Sequence, residues 1–152
     1  EFTIRLSRAE PAAPESAEAR SVSDGGHGVR VLVADDSVDA AESLAMLLEL
    51  QGCQVRVAHD GEAALREAGE FRPRVAFIDI GMPRMDGYEV CRRIRAEPWG
   101  RAPMLVALTG WGQDEDRRRS AAVGFDRHLT KPADPQQVLA LLVEAGERPS
   151  RE

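Results

Sequence analysis

Short apolar runs alternate with amphipathic stretches along most of this chain, and the alternation repeats five times. Val29 to Ala34 is apolar apart from Arg30 and ends in the pair Asp35-Asp36. It reads as a buried strand. Ser37 caps the helix that follows, with Asp39 and Glu42 favourable in its first turns. Ala41, Leu44, Ala45, Leu47 and Leu48 form its apolar stripe, and Gly52 stops it. Gln54 to Ala58 alternates as a second strand. Asp60-Gly61 opens a short helix carrying Ala64, Leu65 and Ala68, which Gly69 is expected to close. Val75 to Ile78 is a third strand, apolar throughout and running straight into Asp79, then Gly81-Met82-Pro83 and Asp86-Gly87. Tyr88 to Ala96 is a helix with Val90, Cys91 and Ile94 inward. Met104 to Leu108 is a fourth strand that ends in Thr109-Gly110. A helix holding Asp114 to Arg119 stops at Gly124. Phe125 to Leu129 makes a last strand, leading into Thr130-Lys131-Pro132. Asp134 as cap and Pro135 at the first helical position open a final helix.

Strand then helix, with short connections, predicts an α/β fold with a parallel sheet and helices on both faces. The folded part spans residues 29–146, with a frayed tail at 147–152. Ahead of it, Phe2, Ile4 and Leu6 alternate with Thr3, Arg5 and Ser7 as a short strand over residues 1–8. Residues 9–28 are rich in Ala, Pro, Glu and Ser and read as a flexible linker.

Length and composition narrow the function. At 152 residues with 43% hydrophobic side chains, the chain holds one domain plus tails. A formal net charge of −6 argues against nonspecific nucleic-acid binding. No apolar run approaches the roughly 20 residues that span a bilayer. The N-terminus lacks the apolar core of a signal peptide, so no membrane contact is expected of this chain. Cys53 and Cys91 are its two thiols. They read as free buried cysteines in a reducing cytosol rather than a disulfide or metal pair.

The candidate chemistry sits just beyond four strands: Asp35 and Asp36, Asp79, Thr109, and Lys131. In a doubly wound sheet these tips share one edge, with the ligand crevice between the first and third strands. A single acid at a strand end is more often a helix cap than a nucleophile. The set taken together is a stronger signal. Two unit charges about 4 Å apart repel by roughly 4 kcal/mol at an effective dielectric of 20. Three carboxylates in one cleft therefore need cations. Lys131 supplies one charge. Oxygen ligands suit Mg²⁺, and the lack of His or Cys among them argues against zinc. A carboxylate so placed can attack phosphorus and form an acyl phosphate. Positioning and charge neutralisation are what phosphoryl transfer requires. The run Asp114 to Arg119 is most simply a solvated helix face that complements the helix dipole.

Asp35-Asp36, Asp79 with Met82-Pro83 and Asp86-Gly87, Ala107-Leu108-Thr109-Gly110, and Lys131-Pro132 together resemble the receiver domain of two-component response regulators. The match runs from about Val29 to Ala145. The resemblance implies a flavodoxin-like five-stranded sheet of order 2-1-3-4-5. It implies Asp79 as phosphoacceptor, with Asp36, Asp79 and the Gly81 carbonyl as direct Mg²⁺ ligands and Asp35 acting mainly through bound water. Thr109 and Lys131 would bind the phosphoryl group, and Lys131-Pro132 would be a cis peptide. The donor would be a phosphohistidine on a histidine kinase or a histidine phosphotransfer protein. Homodimerisation or partner docking would use the face of the fourth helix, fifth strand and fifth helix.

The family carries an aromatic residue that moves with the switch threonine, and here the matching position is His128. A structural imidazole and a pH-sensitive switch both fit that departure. Gly81 has no side chain to guide hydrolytic water. Trp111 is either a shield over the site or an exposed loop aromatic. Slow self-dephosphorylation, over hours, is expected.

The residues 1–6 resemble the last strand of a sensor kinase's ATP-binding domain, so the chain reads as the cytoplasmic C-terminal receiver of a hybrid histidine kinase. It lacks the kinase's nucleotide-binding motifs and would not itself phosphorylate histidine. Three rivals remain: a stand-alone regulator without an output domain, a degenerate docking module, and a Mg²⁺-dependent aspartate-nucleophile phosphatase. The phosphatase class needs a second Asp two residues beyond its nucleophile, where this chain has Gly81. No DNA-binding helix-turn-helix pattern follows Gly146.

Overall fold

A computed structural model describes residues 28–110 and 114–147. The alternating stretch at 2–6, the linker at 9–27, Trp111 and the tail from 148 lie outside the described residues. Five strands alternate with five helices: β1 Arg30–Ala34, α1 Val38–Leu50, β2 Gln54–Ala58, α2 Gly61–Phe71, β3 Val75–Asp79, α3 Gly87–Arg95, β4 Met104–Thr109, α4 Asp114–Val123, β5 Arg127–Thr130 and α5 Pro135–Glu147. The strands form one sheet of order β2-β1-β3-β4-β5, and every pairing is parallel. This is the flavodoxin-like order expected above.

Two apolar layers sandwich the sheet. One joins Val31, Val33, Phe77, Val106 and Leu108 to Leu44 and Leu48 of α1 and Val138 and Leu142 of α5. The other joins Leu32, Ile78, Leu105 and Ala107 to Ala64 of α2, Val90 and Ile94 of α3, and Phe125. Alternate residues of each central strand go to opposite layers. That is why β3 and β4 are apolar without a break. Both cysteines are free and buried. Burial pushes each thiol up to about 11, where it stays protonated and unreactive.

Two element ends differ from the sequence expectation by more than one residue. Gly69 does not close α2; the helix continues to Phe71 and ends on Arg72 at φ 52°. Arg72 tolerates that left-handed backbone because its side chain is tied down. Its Nε donates to Gly69 O at 2.9 Å, and its guanidinium lies 4.8 Å from the Trp99 ring centre. At β5, Phe125 does not open the strand, which starts at Arg127. The Phe125 amide still donates back to Ser120 O, completing the α4 turn.

The amino-terminal edge of the sheet is closed by arginines. Arg95 donates to Gly124 O, Gly100 O and Pro103 O and pairs with Asp126 at 2.8 Å. Asp126 in turn accepts the Leu105 amide at 2.9 Å. Arg30 holds the Phe71 and Arg72 carbonyls, and Arg74 holds Ala145 O. These contacts fasten the α2, α3, α4 and α5 ends to the strand starts. They leave the opposite edge to set the site.

Candidate functional site

Three carboxylates meet at the carboxyl edge, across the gap between β1 and β3. Ligand oxygens of Asp35, Asp36 and Asp79 all lie within 4.8 Å of one another. Asp35 and Asp79 are buried, whereas Asp36 is exposed. The two buried acids are held by local backbone. Asp35 Oδ1 accepts the Ser37 amide at 2.9 Å, just where Ser37 caps α1 through the Ala40 amide. Asp79 Oδ1 accepts the Gly81 amide at 2.9 Å. These short turns leave the other oxygen of each acid directed into the cleft, where both meet Lys131. Its Nζ is 3.2 Å from Asp35 Oδ2 and 3.3 Å from Asp79 Oδ2. The Lys131-Pro132 peptide is cis.

The acid that resemblance marks as acceptor has a raised pKa. Burial raises the Asp79 pKa to about 6; the Gly81 amide and Lys131 pull it down, and Asp35 pushes it up. Burial pulls the Lys131 ammonium toward neutrality, but Asp79 and Asp35 outweigh that and hold its pKa above the ordinary value. Three carboxylates against one ammonium leave the cleft short of positive charge. Clustered carboxylate oxygens, with the exposed Asp36 open to solvent, are the donor chemistry a hard divalent cation takes.

The β3–α3 turn is packed tightly behind Asp79. Asp86 caps α3 through the Glu89 amide at 3.0 Å. A Cβ on Gly87 would lie 2.7 Å from both Asp79 O and Ile80 Cα. Only glycine lets the helix start lie this close to the acid's own backbone. At Gly81 the opposite holds: a Cβ there would sit 3.5 Å from Asp79 Oδ1, an ordinary contact. A side chain at position 81 would reach over the carboxylate, and glycine leaves that approach open.

Thr109 and His128 are brought together. The buried Thr109 places Oγ1 2.6 Å from His128 Nε2. The structure thus gives Thr109 an imidazole partner where the family has an aromatic ring. Sequence reasoning missed His59, whose Nδ1 lies 3.1 Å from Asp35 O. The signal was available, because His59 directly follows β2, the strand beside β1. Reasoning also gave Gly87 only a turn role, and the clash that demands glycine is invisible without coordinates.

A doubly wound parallel sheet with an acid cluster, a hydroxyl and an ammonium along its carboxyl edge defines a small α/β signalling fold of CheY type. Residues 31–143 match the model of the response regulator receiver domain. The chain belongs to that family, and it is a receiver domain of two-component signalling. It is 33% identical over 115 residues to protein PilG of Pseudomonas aeruginosa, covering 76% of this chain and 85% of PilG. It is 38% identical over 112 residues to the response regulator MprA of Mycobacterium tuberculosis, 74% of this chain and 48% of MprA. The chain therefore spans about half of MprA. Among solved structures, the chemotaxis response regulator CheY4 of Vibrio cholerae superposes with a TM-score of 0.73 at 30% identity, over 78% of this chain and 98% of CheY4. Among the described residues no helix is long and apolar enough to cross a membrane.

Proposed function

We propose that Asp79 accepts a phosphoryl group from a phosphohistidine on a histidine kinase or histidine phosphotransfer protein. A carboxylate oxygen of Asp79 attacks phosphorus, the phosphorus–nitrogen bond breaks, and the imidazole leaves with the electron pair. Asp36, Asp79 and the Gly81 carbonyl would hold Mg²⁺, with Asp35 acting through bound water. When bound, the cation supplies positive charge to the phosphoryl oxygens. Lys131 binds one phosphoryl oxygen, and Thr109 another after its hydroxyl leaves His128. That movement carries the state of the site toward the α4–β5–α5 face, where a partner or second copy docks.

The observation that supports this reading most directly is Lys131 Nζ bridging Asp35 and Asp79 at 3.2 and 3.3 Å in a cleft with three carboxylates. Mass spectrometry after incubation with acetyl phosphate and Mg²⁺ tests it. One phosphoryl group added to wild type and none to Asp79→Asn is the expected result; equal labelling of both overturns it. The lack of a side chain at Gly81 to position hydrolytic water supports an aspartyl phosphate that persists for hours. Loss of label within seconds from the isolated protein contradicts that.

The pattern Phe2, Ile4, Leu6 ahead of the linker supports a hybrid histidine kinase, with this receiver in the cytoplasm. The coding sequence upstream of Glu1 decides between that and a stand-alone regulator.

A further inference from the structure

The acids Asp35 and Asp36 share one peptide, and the carbonyl of that peptide is held by a side chain from the neighbouring loop. Both acids follow β1, which lies beside β2 in register up to Ala34 and Ala58. The Asp35 amide extends this ladder by donating to Ala58 O at 3.0 Å. In a parallel ladder the next bond would run from the Asp60 amide to Asp35 O. Asp60 has already turned to cap α2, where its Oδ1 accepts the Ala63 amide at 2.7 Å. The His59 ring takes the place instead, with Nδ1 3.1 Å from Asp35 O. A carbonyl oxygen only accepts, so in this bond Nδ1 carries the proton, in the neutral ring and in the charged one alike.

The same β2–α2 turn is fixed from the other side of the cleft. Arg84 sits at φ 67°, and the Met85 amide donates back to Pro83 O at 2.7 Å. That is a γ-turn with a left-handed centre, a strained form that persists only where its surroundings hold it. It seats Met85 against the first residue of α2: a Cβ on Gly61 would lie 2.7 Å from Met85 Cβ and 2.8 Å from Met85 O. The turn thus touches the loop after β1 through His59 and the loop after β3 through Gly61.

Asp36 depends on this bracing more than the other two acids do. Asp35 and Asp79 are buried, and each accepts a backbone amide, from Ser37 and Gly81. Asp36 is exposed, and among the described residues no hydrogen bond holds its side chain. Its carboxylate is placed by the peptide plane that leads to it, and His59 holds the carbonyl of that plane. Mg²⁺ demands a near-octahedral set of oxygens at about 2.1 Å, whereas Ca²⁺ accepts more oxygens at longer and more variable distances.

We propose that His59 is a positioning residue for the cation: by donating Nδ1–H to the carbonyl of the Asp35–Asp36 peptide, it holds Asp36 in a geometry that favours Mg²⁺ over Ca²⁺. This rests on Asp36, Asp79 and the Gly81 carbonyl being the ligands. His59 is not itself among the clustered ligand atoms.

Titrating the amide chemical shifts of the unphosphorylated protein with MgCl₂ and with CaCl₂ tests it. His59→Phe keeps a ring and loses the donor. It is expected to weaken Mg²⁺ binding about two- to tenfold, the range one hydrogen bond spans, and Ca²⁺ binding by a smaller factor. His59→Asn, whose amide donates from nearly the same place, is expected to keep the wild-type affinity for both ions. An unchanged Mg²⁺ affinity in His59→Phe, a loss for Ca²⁺ as large as that for Mg²⁺, or an Asn variant as weak as the Phe variant overturns the proposal. Should His59→Phe fail to fold, ring nitrogen-15 NMR of wild type decides. Nδ1 is expected to carry a proton at neutral pH, and an Nδ1 without one overturns the proposal. Wild type that binds neither ion fails the cation reading itself; wild type that binds Mg²⁺ with no His59 effect fails the positioning role alone.

Discussion

At the amino-terminal edge of the sheet, Arg95 meets three carbonyls and a carboxylate, and that carboxylate also receives the Leu105 amide. At the carboxyl edge, Lys131 alone faces Asp35 and Asp79, with Asp36 beside them. Both edges hold partly buried charge. At the first, the donors of a guanidinium are matched by acceptors already in place, which is the condition under which buried charge is tolerated. At the second, like charges crowd together and the compensation is incomplete. The difference shows what each end is for. One is settled by its own residues and anchors four helix ends. The other is left in electrostatic debt to whatever cation and phosphoryl group arrive.

Breaking the settled edge should have the largest effect on stability. Arg95→Met is expected to lower the unfolding free energy by about 3 kcal/mol, because Asp126 and three carbonyls lose their partner. Urea denaturation measures this. Acetyl-phosphate labelling per folded molecule should stay at the wild-type level, since no Arg95 contact reaches the cleft. A labelling defect with intact stability would undo the separation of the two edges.

Relieving the crowded edge should do the reverse. A pKa raised to about 6 from 3.8 means that the native state binds the Asp79 proton more tightly than the unfolded chain does. The contribution of Asp79 to stability is therefore full below about pH 3.8 and is lost as pH rises through about 6. Without Mg²⁺, Asp79→Asn should then be more stable than wild type by about 2 kcal/mol at pH 7.5. The gap should close as the pH falls toward 4. A variant less stable than wild type at pH 7.5 would show that Asp79 is already compensated.

Mg²⁺ should act on the same term. A cation that binds only the native state stabilises by about 1.4 kcal/mol at ten times its Kd. Thermal melts of wild type should shift upward with added Mg²⁺, and those of Asp79→Asn should shift much less. The smallest change is expected at Arg84, whose φ of 67° lies in the loop between β3 and α3. Arg84→Gly should stabilise by about 0.5 kcal/mol, the strain of the left-handed backbone partly offset by the freer unfolded chain.

The carboxyl edge was largely legible in the sequence. Buried strands announce themselves as apolar runs, and parallel order sends every strand tip to one edge, so Asp35, Asp36, Asp79, Thr109 and Lys131 could be gathered before any coordinates. The settled edge was not legible. Arg95 and Gly124 are 29 residues apart, and nothing in an arginine's neighbours says which carbonyls it will reach. The end of α2 was misplaced for a related reason. Gly69 is an ordinary stop signal, but the stack of Arg72 on Trp99 overrides it. His128 and Thr109 were each visible; their bond depends on the β4–β5 register, which no local pattern encodes.

The hydrogen that stands where position 87 would otherwise carry a methyl makes the start of α3 and the main chain of Asp79 a single rigid piece. A methyl group there would act as a wedge, prying the helix from the strand without altering any acid. The domain could thus be silenced from behind, at a residue that never meets a substrate.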